Sequence, residues 1–494
     1  MHAQKPWLLL VLLFVALLPS LVHCQEWTWK RKYEAGKEAL DQQRYLVAVD
    51  KLEDALKTAE AAAINDWRLG DTLSALAMAH IGRKEYTEAE PLLLRALANY
   101  EKSKGPTSAT MAHALNDLGD LYSLLGKYDK AEPLYMRAIS IFEKNYGDET
   151  SELVGMLNSL SDHYYGKHQY DDAEKYASRS LAISEKTWGT KSQLLLPSMN
   201  ILCKIYLSHQ KYTEAEPLLK RSLAISEKAY GKDDPNLNWV IEALAKVYQV
   251  RGQYAEAEVL YNRSLAIWQK NLPVLNQSSY SKKRYVEYAQ VLNEQGLTLY
   301  NERKPEKYPI SDYCFQQALM LRKTYLGENH LDVAEVYQNL GELYRVENRY
   351  ADAIKAIELA LGIRQKADDQ SVETAISLNS QGVLYYLTGD AAKAETALKA
   401  SLTIREKLLP ADDPDVGITI NTLAMAYYVD EKYTDAEPYF KRALAIWEKA
   451  PGAKSARLIT CLENYARLLE KLDRREEAAD LLTRAREIRE KEGQ

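Results

Sequence analysis

The sequence predicts an all-α solenoid of stacked helix-turn-helix pairs, and an internal repeat is the main reason. The stretch from Ala114 to Gly147, ALNDLGDLYSLLGKYDKAEPLYMRAISIFEKNYG, matches again 42 residues later and once more after a further 42. Repeats of this length are typical of solenoids, in which each unit packs only against its neighbours. The length of 494 residues, too large for a single globular core, agrees with such an array.

The first half of each repeat has the spacing of an amphipathic helix. In the Ala114 copy, Leu115, Leu118 and Tyr122 lie three and four residues apart and therefore share one face. Gly119 lies on the same side, and the other copies also place a small residue there. We interpret this as a packing requirement, because a small residue lets the second helix approach closely. The equivalent residues are Ser161, Cys203, Ala245, Gly341, Gly382 and Ala424.

The second half of each repeat follows a Gly-Lys-Tyr type of turn and is predicted to begin with a capping box. In a capping box, Ser, Thr or Asp is followed three residues later by Glu, and the side-chain cap stabilises a helix by about 1 kcal/mol. In four copies a proline follows that glutamate and must therefore lie in the first turn, where few backbone N–H groups have helical partners. The predicted pairs are Thr87/Glu90, Asp129/Glu132, Asp171/Glu174, Thr213/Glu216 and Thr434/Glu437.

These motifs resemble the tetratricopeptide repeat, and in particular the 42-residue form found in kinesin light chains and similar bacterial proteins. The shared pattern is LNxLAxxYxxxGKYxEAExLYKRALxIxEKxxG, which recurs over nearly all of the chain after residue 24. The resemblance implies a right-handed superhelical solenoid of about eleven helix-turn-helix repeats, with the first helix of each repeat lining a concave groove. It also implies a non-enzymatic scaffold that binds a protein partner, either as an extended peptide or as a helix.

Residues 1–24 have the pattern of a secretory signal peptide. Lys5 precedes a twelve-residue apolar run, which is shorter than the roughly 20 residues needed to span a bilayer. Val22 and Cys24 suit a cleavage site before Gln25. We therefore expect the repeat domain, residues 25–494, to act outside the cytoplasm, either in the periplasm or as a secreted protein.

Two alternatives to cleavage remain open for this leader. Leu21-Val22-His23-Cys24 resembles a lipid-attachment site, although His23 stands where a small residue is preferred. The leader is alternatively retained as a membrane anchor. In both cases the protein is a membrane-tethered assembly factor whose membrane contact is made only through the N-terminal segment.

Eleven repeats account for residues 25–494, and each is marked by a small residue early in its second helix. Most markers lie 41 or 42 residues apart, but the step from Ala257 to Ser311 is 54, so twelve residues are inserted around 271–310. The added residues fall in the polar segments 271–283 and 301–309, which we expect to form surface loops. The markers are Ala48, Ala89, Ala131, Ala173, Ala215, Ala257, Ser311, Ala353, Ala394, Ala436 and Ala478.

Charge and motif content argue against several function classes. The chain has 64 basic and 70 acidic residues and a net charge of -6, which disfavours nucleic acid as a partner. The sequence contains no phosphate-binding loop, no serine-hydrolase elbow and no zinc-protease motif. His163 and His168 have no cysteine nearby, so we predict neither a metal nor a cofactor. An enzyme with an unrecognised site is an alternative that only scattered histidine and acidic residues favour.

The predicted binding surface is the groove lined by the first helices. A recurring asparagine lies beside the small packing position, and its amide has both the donors and the acceptor needed to pair with an extended peptide backbone. The equivalent asparagine of kinesin light chains resembles such a clamp. The alternative is that these residues hold adjacent repeats together, since buried polar groups also need partners. The asparagines are Asn116, Asn158, Asn200, Asn293, Asn379 and Asn421.

Other groove positions change character along the chain. Early repeats offer His113, Asp120 and Asp162, and the middle repeats offer Lys204 and Lys246. Toward the C-terminus these positions are apolar or aromatic and are predicted to anchor partner side chains, with packing against neighbouring helices as the alternative. The C-terminal positions are Ile376, Val383, Tyr386, Ile418, Met425 and Tyr428, among which Tyr386, Met425 and Tyr428 are the predicted anchors.

Overall fold

A computed structural model describes residues 26–275, 281–449 and 455–492, and in these ranges the chain folds into α-helices joined by turns, with no β-strand. The predicted signal peptide lies outside the described residues. The chain divides into two units, Met1–Ala243 (unit 1) and Leu244–Gln494 (unit 2). The predicted all-α repeat fold is confirmed.

The described helices alternate between the first and the second helix of the eleven predicted repeats, with odd numbers for first helices and even numbers for second helices. Unit 1 contains α1 (26–41), α2 (Tyr45–Ala61), α3 (Trp67–Gly82), α4 (Tyr86–Lys104), α5 (Ala109–Leu124), α6 (Tyr128–Tyr146), α7 (Glu152–Gly166), α8 (Tyr170–Trp188), α9 (Leu196–Ser208) and α10 (Tyr212–Tyr230). The division between the units falls within α11 (Asn238–Val250). Unit 2 contains α12 (Tyr254–Leu275), α13 (Ser281–Asn301), α14 (Tyr308–Leu326), α15 (Leu331–Val346), α16 (Tyr350–Ala367), α17 (Val372–Leu387), α18 (Ala391–Leu408), α19 (Pro414–Val429), α20 (Tyr433–Lys449), α21 (Ser455–Lys471) and α22 (Arg475–Glu492).

Close contact between the two helices of a repeat depends on the small positions. All eleven marker residues in the second helices are buried. A Cβ atom added at Gly119 of α5 would lie 2.8 Å from the ring of Tyr135 in α6, which is too close for an unchanged structure. Cys203 fills the equivalent position of α9 as a buried free thiol, and burial raises its pKa to about 12. The predicted packing role of these positions is confirmed.

The predicted capping boxes are wrong. The second helices α4, α6, α8 and α10 begin at the tyrosine before the predicted cap, and their N-cap residues make no side-chain cap bond. Because each helix starts earlier, the Thr or Asp of the predicted pair lies inside the first turn and is not the N-cap residue. Side-chain caps occur mostly on first helices, as where Ser108 accepts a hydrogen bond from the Met111 amide at 3.2 Å; the second helix α18 is capped by Asp390, which is not one of the predicted boxes.

The glutamates of the predicted boxes connect neighbouring repeats instead. Glu90 of α4 accepts hydrogen bonds from the Tyr122 hydroxyl at 3.0 Å and from Lys127 Nζ at 3.3 Å, both in the next repeat. Glu132 is bonded in the same way to Tyr164 and Lys167. We call this carboxylate, with the tyrosine and the cation it binds, the glutamate clamp.

The glutamate clamp recurs in unit 2. Glu395 accepts from Tyr427 at 3.0 Å and Lys432 at 3.4 Å, and Asp312 takes the place of the glutamate opposite Tyr344. At Glu437, hydrogen bonds from Lys441, Arg474 and Tyr465 lower the pKa to about 2. The sequence pattern that suggested capping therefore marks contacts between repeats.

The insertion lengthens two helices instead of forming only loops. Residues 271–275 continue α12, and α13 begins at residue 281; residues 276–280 lie outside the described residues. The second added segment contains a 3-10 turn, Pro305–Lys307. Lys307 of this turn reaches back to Glu258 at 2.5 Å, so the longer connection still supplies the cation of the glutamate clamp. Among the described helices, none is long and apolar enough to cross a membrane.

The small position can be tested with two glycine substitutions. Gly119→Ala should lower the free energy of unfolding by about 1–3 kcal/mol, because the new methyl group meets the Tyr135 ring. Gly155→Ala, in α7 with open space around it, should raise stability by about 0.5–1 kcal/mol. Chemical denaturation of both variants is the measurement. Equal stabilisation by both alanines would contradict the packing role.

A second test separates the glutamate clamp from the capping box. In a double-mutant cycle with Glu90→Ala and Tyr122→Phe, we expect a coupling free energy of about 0.5–1.5 kcal/mol, because each change removes the same hydrogen bond. Thr87→Ala is the control and should change stability by less than about 0.5 kcal/mol. A loss of about 1 kcal/mol in Thr87→Ala with no coupling in the cycle would restore the capping box.

Candidate functional site

The six predicted asparagines all lie on first helices, three residues before the small packing position. Asn293 is fully buried and the other five are half-buried. Their common register follows from the repeat. Their hydrogen bonds differ from one repeat to the next, so they do not form a uniform set.

Three of the asparagines hold helices together. Asn116 donates to Asp120 in its own helix at 3.0 Å and to Ser159 of the next repeat at 3.3 Å. The Asn293 amide is bonded through both of its polar atoms to α15 of the next repeat. Asn200 accepts from the Ser222 hydroxyl of α10 at 3.2 Å. Asn116 and Asn293 thus contact the adjacent repeat, as the structural alternative expects, whereas Asn200 joins the two helices of its own repeat; neither contact tests peptide binding.

The other three asparagines have unused hydrogen-bonding capacity. The side-chain oxygens of Asn158, Asn379 and Asn421 are buried and have no hydrogen-bond partner among the described residues, and the same is true of the Asn116 oxygen. An unsatisfied buried amide oxygen costs about 1–3 kcal/mol. These oxygens are the part of the predicted clamp that internal contacts do not explain, and peptide binding by them stays a prediction.

The predicted apolar anchors are half-buried. Tyr386, Met425 and Tyr428 pack against the core formed by the last helices of unit 2 while part of each side chain remains exposed. The Tyr428 ring lies 5.6 Å from that of Tyr433, and burial raises the pKa of Tyr386. One side of each of these side chains therefore packs against the core, and the other side faces solvent.

A cavity in unit 1 contains functional candidates that were not recognised from the sequence. It has a volume of about 430 Å³ and lies between α5, α6 and α7. Asp120 and Asp162, two predicted groove residues, line it together with Tyr135 and His163. Tyr135 follows the core spacing of a second helix, and only the polar end of its side chain signals a further role.

A chain of hydrogen bonds crosses this cavity. Tyr135 donates to Asp120 Oδ1 at 2.8 Å, and its hydroxyl also contacts Ser123 Oγ at 3.1 Å. Ser123 in turn contacts Nδ1 of His163 at 2.9 Å. His163 is only 1% exposed, and burial lowers its pKa.

The carboxylates of this region have raised pKa values. Burial, reinforced by Asp120, raises the pKa of Asp117 to about 7, and burial raises the pKa of Asp120 to about 6. Burial also raises the pKa of Asp162. The residue itself is exposed, but the protein around its carboxyl group removes part of its hydration. Clusters of perturbed carboxyl groups beside a cavity are typical of functional sites.

A second cavity, of about 330 Å³, continues the acidic surface in unit 1. Asp41, Asp71 and Asp117 line it, with Lys37 among the other lining residues. Asp71 accepts a hydrogen bond from Tyr100 at 2.8 Å, and burial raises its pKa. A tyrosine hydroxyl thus donates to a first-helix aspartate in both cavities.

The described residues contain no group of three or more His, Cys, Asp or Glu side chains suited to a metal ion. His163 and His168, which are close in sequence, point to different surroundings. His163 is buried beside Ser123, whereas His168 is exposed in the turn after α7 and contacts Tyr170 at 3.0 Å.

Comparison with family models gives one family. The tetratricopeptide repeat model matches residues 68–144, 195–270, 302–366, 341–407 and 415–491, which together span more than half of the chain. A comparison with curated proteins finds no match. The recognition made from the repeat motif is therefore confirmed by the family model.

Three solved structures illustrate the similarity. The apo form of RapI has a TM-score of 0.55 and 13% identity, covering 77% of this chain and 98% of that chain. BtubC (BKLC) from P. vanneervenii has a TM-score of 0.39 and 23% identity, covering 48% and 90%. A putative kinesin light chain from Podosopora anserina with nearly identical TPR-like repeats has a TM-score of 0.36 and 21% identity, covering 44% and 99%. At such identities, the RapI similarity concerns the fold alone.

The unusual carboxyl groups predict a measurable pH dependence. The pKa of Asp117, about 7, lies above the ordinary value of 3.8, so the folded protein takes up a proton at this residue. Its contribution to the free energy of unfolding therefore falls as the pH rises from about 4 to about 7. Asp117→Asn should raise the melting temperature at pH 8 and change it less at pH 5. Asp412→Asn, at an exposed turn, is the control. Equal shifts at both pH values in the Asp117 variant would contradict the burial of this charge.

Proposed function

The chain belongs to the tetratricopeptide repeat family, and we propose that it is a non-enzymatic scaffold that binds a protein partner in the groove lined by its first helices. The family is typically one of protein-interaction scaffolds. The observation that supports binding by this chain is the set of asparagine oxygens without internal partners, at Asn158, Asn379 and Asn421. An extended peptide offers the backbone N–H groups that such oxygens need.

The C-terminal half of the groove supplies side-chain contacts in this proposal. Tyr386 lies on α17, the helix that carries Asn379. Met425 and Tyr428 lie on α19, the helix that carries Asn421, and all three side chains are partly exposed. Aromatic and methionine side chains are enriched at the centres of protein interfaces. A segment with apolar side chains, bound as an extended peptide or as a helix, fits this region.

The site of action proposed here is extracytoplasmic. The signal-peptide pattern of residues 1–24 supports export to the periplasm or secretion. The absence of any recognised catalytic motif in the sequence supports a binding role over a chemical one.

The groove can be tested by comparing two kinds of asparagine. A peptide ligand is first selected on the wild-type protein from a displayed library of random decapeptides. Asn379→Ala and Asn421→Ala should each weaken binding of that peptide by about 1–3 kcal/mol, because a peptide group loses its partner. Their melting temperatures should change little, since no internal hydrogen bond to either oxygen is lost.

Asn293→Ala is the matched control for this experiment. Both polar atoms of Asn293 are bonded inside the protein, so this variant should lose stability and retain the affinity of the wild type. If the Asn379 and Asn421 variants instead unfold more easily and keep full affinity, the recurring asparagine is structural throughout.

A further inference from the structure

We propose that the cavity between α5, α6 and α7 binds a lysine or arginine side chain of the partner peptide. This inference rests on the proposed peptide-binding function and names the chemistry of one of its contacts. The cavity adjoins the predicted clamp directly, because Asn116 donates hydrogen bonds to two residues that line it, Asp120 and Ser159.

The hydrogen-bond chain in the cavity has a defined direction. Tyr135 has one hydroxyl proton and donates it to Asp120, so in the contact between Tyr135 and Ser123 the serine must be the donor. Ser123 has then used its proton and can only accept from Nδ1 of His163. Burial lowers the pKa of His163 and so favours the neutral imidazole, in which Nε2 carries a lone pair when Nδ1 holds the proton.

That lone pair has no hydrogen-bond partner among the described residues. The charged group close to it, the Glu132 carboxylate at 3.8 Å, has no proton to donate. His163 is 1% exposed, so bulk solvent does not satisfy the atom either. His163 lines the cavity, and its Nε2 is a buried acceptor without a donor among the described residues; the proposal assigns that donor to the ligand.

The other polar groups of the cavity are acceptors as well. The Tyr128 hydroxyl donates to the Gly166 carbonyl, and Ser159 hydrogen-bonds to Asp120 while accepting from Asn116. Asp162 makes no hydrogen bond or ion pair with the described residues; burial raises its pKa, and the charge of Lys204 offsets part of that rise. The hydroxyl protons are thus used internally, and what remains free is acceptor capacity on carboxylate and imidazole groups.

A cationic group fits this lining better than a neutral or an anionic one. Asp120 and Asp162 repel each other across the cavity, and each is partly stripped of water, so a positive charge between them stabilises both ionised forms. Tyr128 also lines the cavity and adds an aromatic ring of the kind that attracts cations. The neighbouring acidic cavity with Asp41, Asp71 and Asp117 extends the same preference along unit 1.

The test uses fluorescein-labelled peptides of fixed composition and the full-length protein. We expect an alternating lysine–alanine decapeptide and its arginine counterpart to bind, as followed by fluorescence anisotropy, and the glutamate–alanine counterpart not to bind. Asp162→Asn should weaken binding of the lysine peptide by about tenfold or more, and Asp162→Glu should restore most of it. Both variants should keep the wild-type melting temperature to within a few degrees, since Asp162 has no internal hydrogen bond.

Asp171→Asn is the matched control, because it removes the same charge from an exposed position on α8, a second helix. It should leave the affinity for the lysine peptide within about twofold of the wild type, allowing for a small long-range effect. If Asp162→Asn and Asp171→Asn weaken binding equally, net charge and not the cavity attracts the peptide, and the proposal is wrong.

Two further outcomes separate this proposal from the proposed function. If peptides selected from the random library bind through Asn379 and Asn421 but no cationic peptide binds, the cavity assignment fails and the scaffold function stands. If n-butylamine competes for the site as strongly as the lysine peptide does, and no peptide binds more tightly than the amine, the cavity takes small amines. That result overturns the assignment to a partner peptide.

Discussion

A carboxylate near the start of most second helices fixes the position of the next repeat, and the regular stacking of the repeats depends on this contact. Apolar burial supplies most of the stabilisation between helices, but it has no direction and tolerates sliding. The hydrogen bonds from Tyr164 and Lys167 to Glu132 have fixed lengths and partners, so they define a register. Their net contribution to stability is modest because the atoms are partly exposed. Their value lies in bringing each first helix to the same position relative to the one before it.

The residue eleven positions after each marker shows how one site in the repeat can change its chemistry without changing the fold. In unit 1 it is Ala59, Tyr100, Phe142, Ser184 and Ser226. In unit 2 it is three times a buried arginine that donates to a main-chain carbonyl at the start of the next first helix: Arg322 to Asp332, Arg364 to Glu373 and Arg405 to Asp415. Unit 1 instead buries carboxyl groups near its cavities. The two units therefore present different electrostatic environments although both are built from the same repeat.

Sequence periodicity was sufficient to predict the helices, the eleven repeats and the small packing positions, because each is a property of a single repeat and recurs. Features that depend on the neighbouring repeat were harder to predict. Thr87 and Glu90 have the spacing of a capping box, and only the position of Tyr122 in the next repeat reveals the other use of the glutamate. The cavity was missed because Tyr135 and His163 lie at buried positions, and their hydrogen bonds join residues 12 and 40 positions apart. The asparagines were located correctly, but their individual partners vary with residues outside the motif.

Ile354 occupies the clamp position of repeat eight, so this boundary is held differently. Tyr385 donates to Glu358 instead, and a buried network links Gln338 and Arg364 of repeat eight to Ser377 of repeat nine. Repeats that share the glutamate clamp offer the same carboxylate acceptor to the following repeat and the same tyrosine and lysine donors to the preceding one. One such repeat can therefore replace another without a change in this contact. Repeats eight and nine are joined to each other by side chains that the other junctions do not share. Duplication or loss of whole repeats, the usual way in which such arrays change length during evolution, is therefore open to the stretches with the common contact and restricted at junctions that lack it, such as this one and the one after repeat one, where Val49 occupies the clamp position.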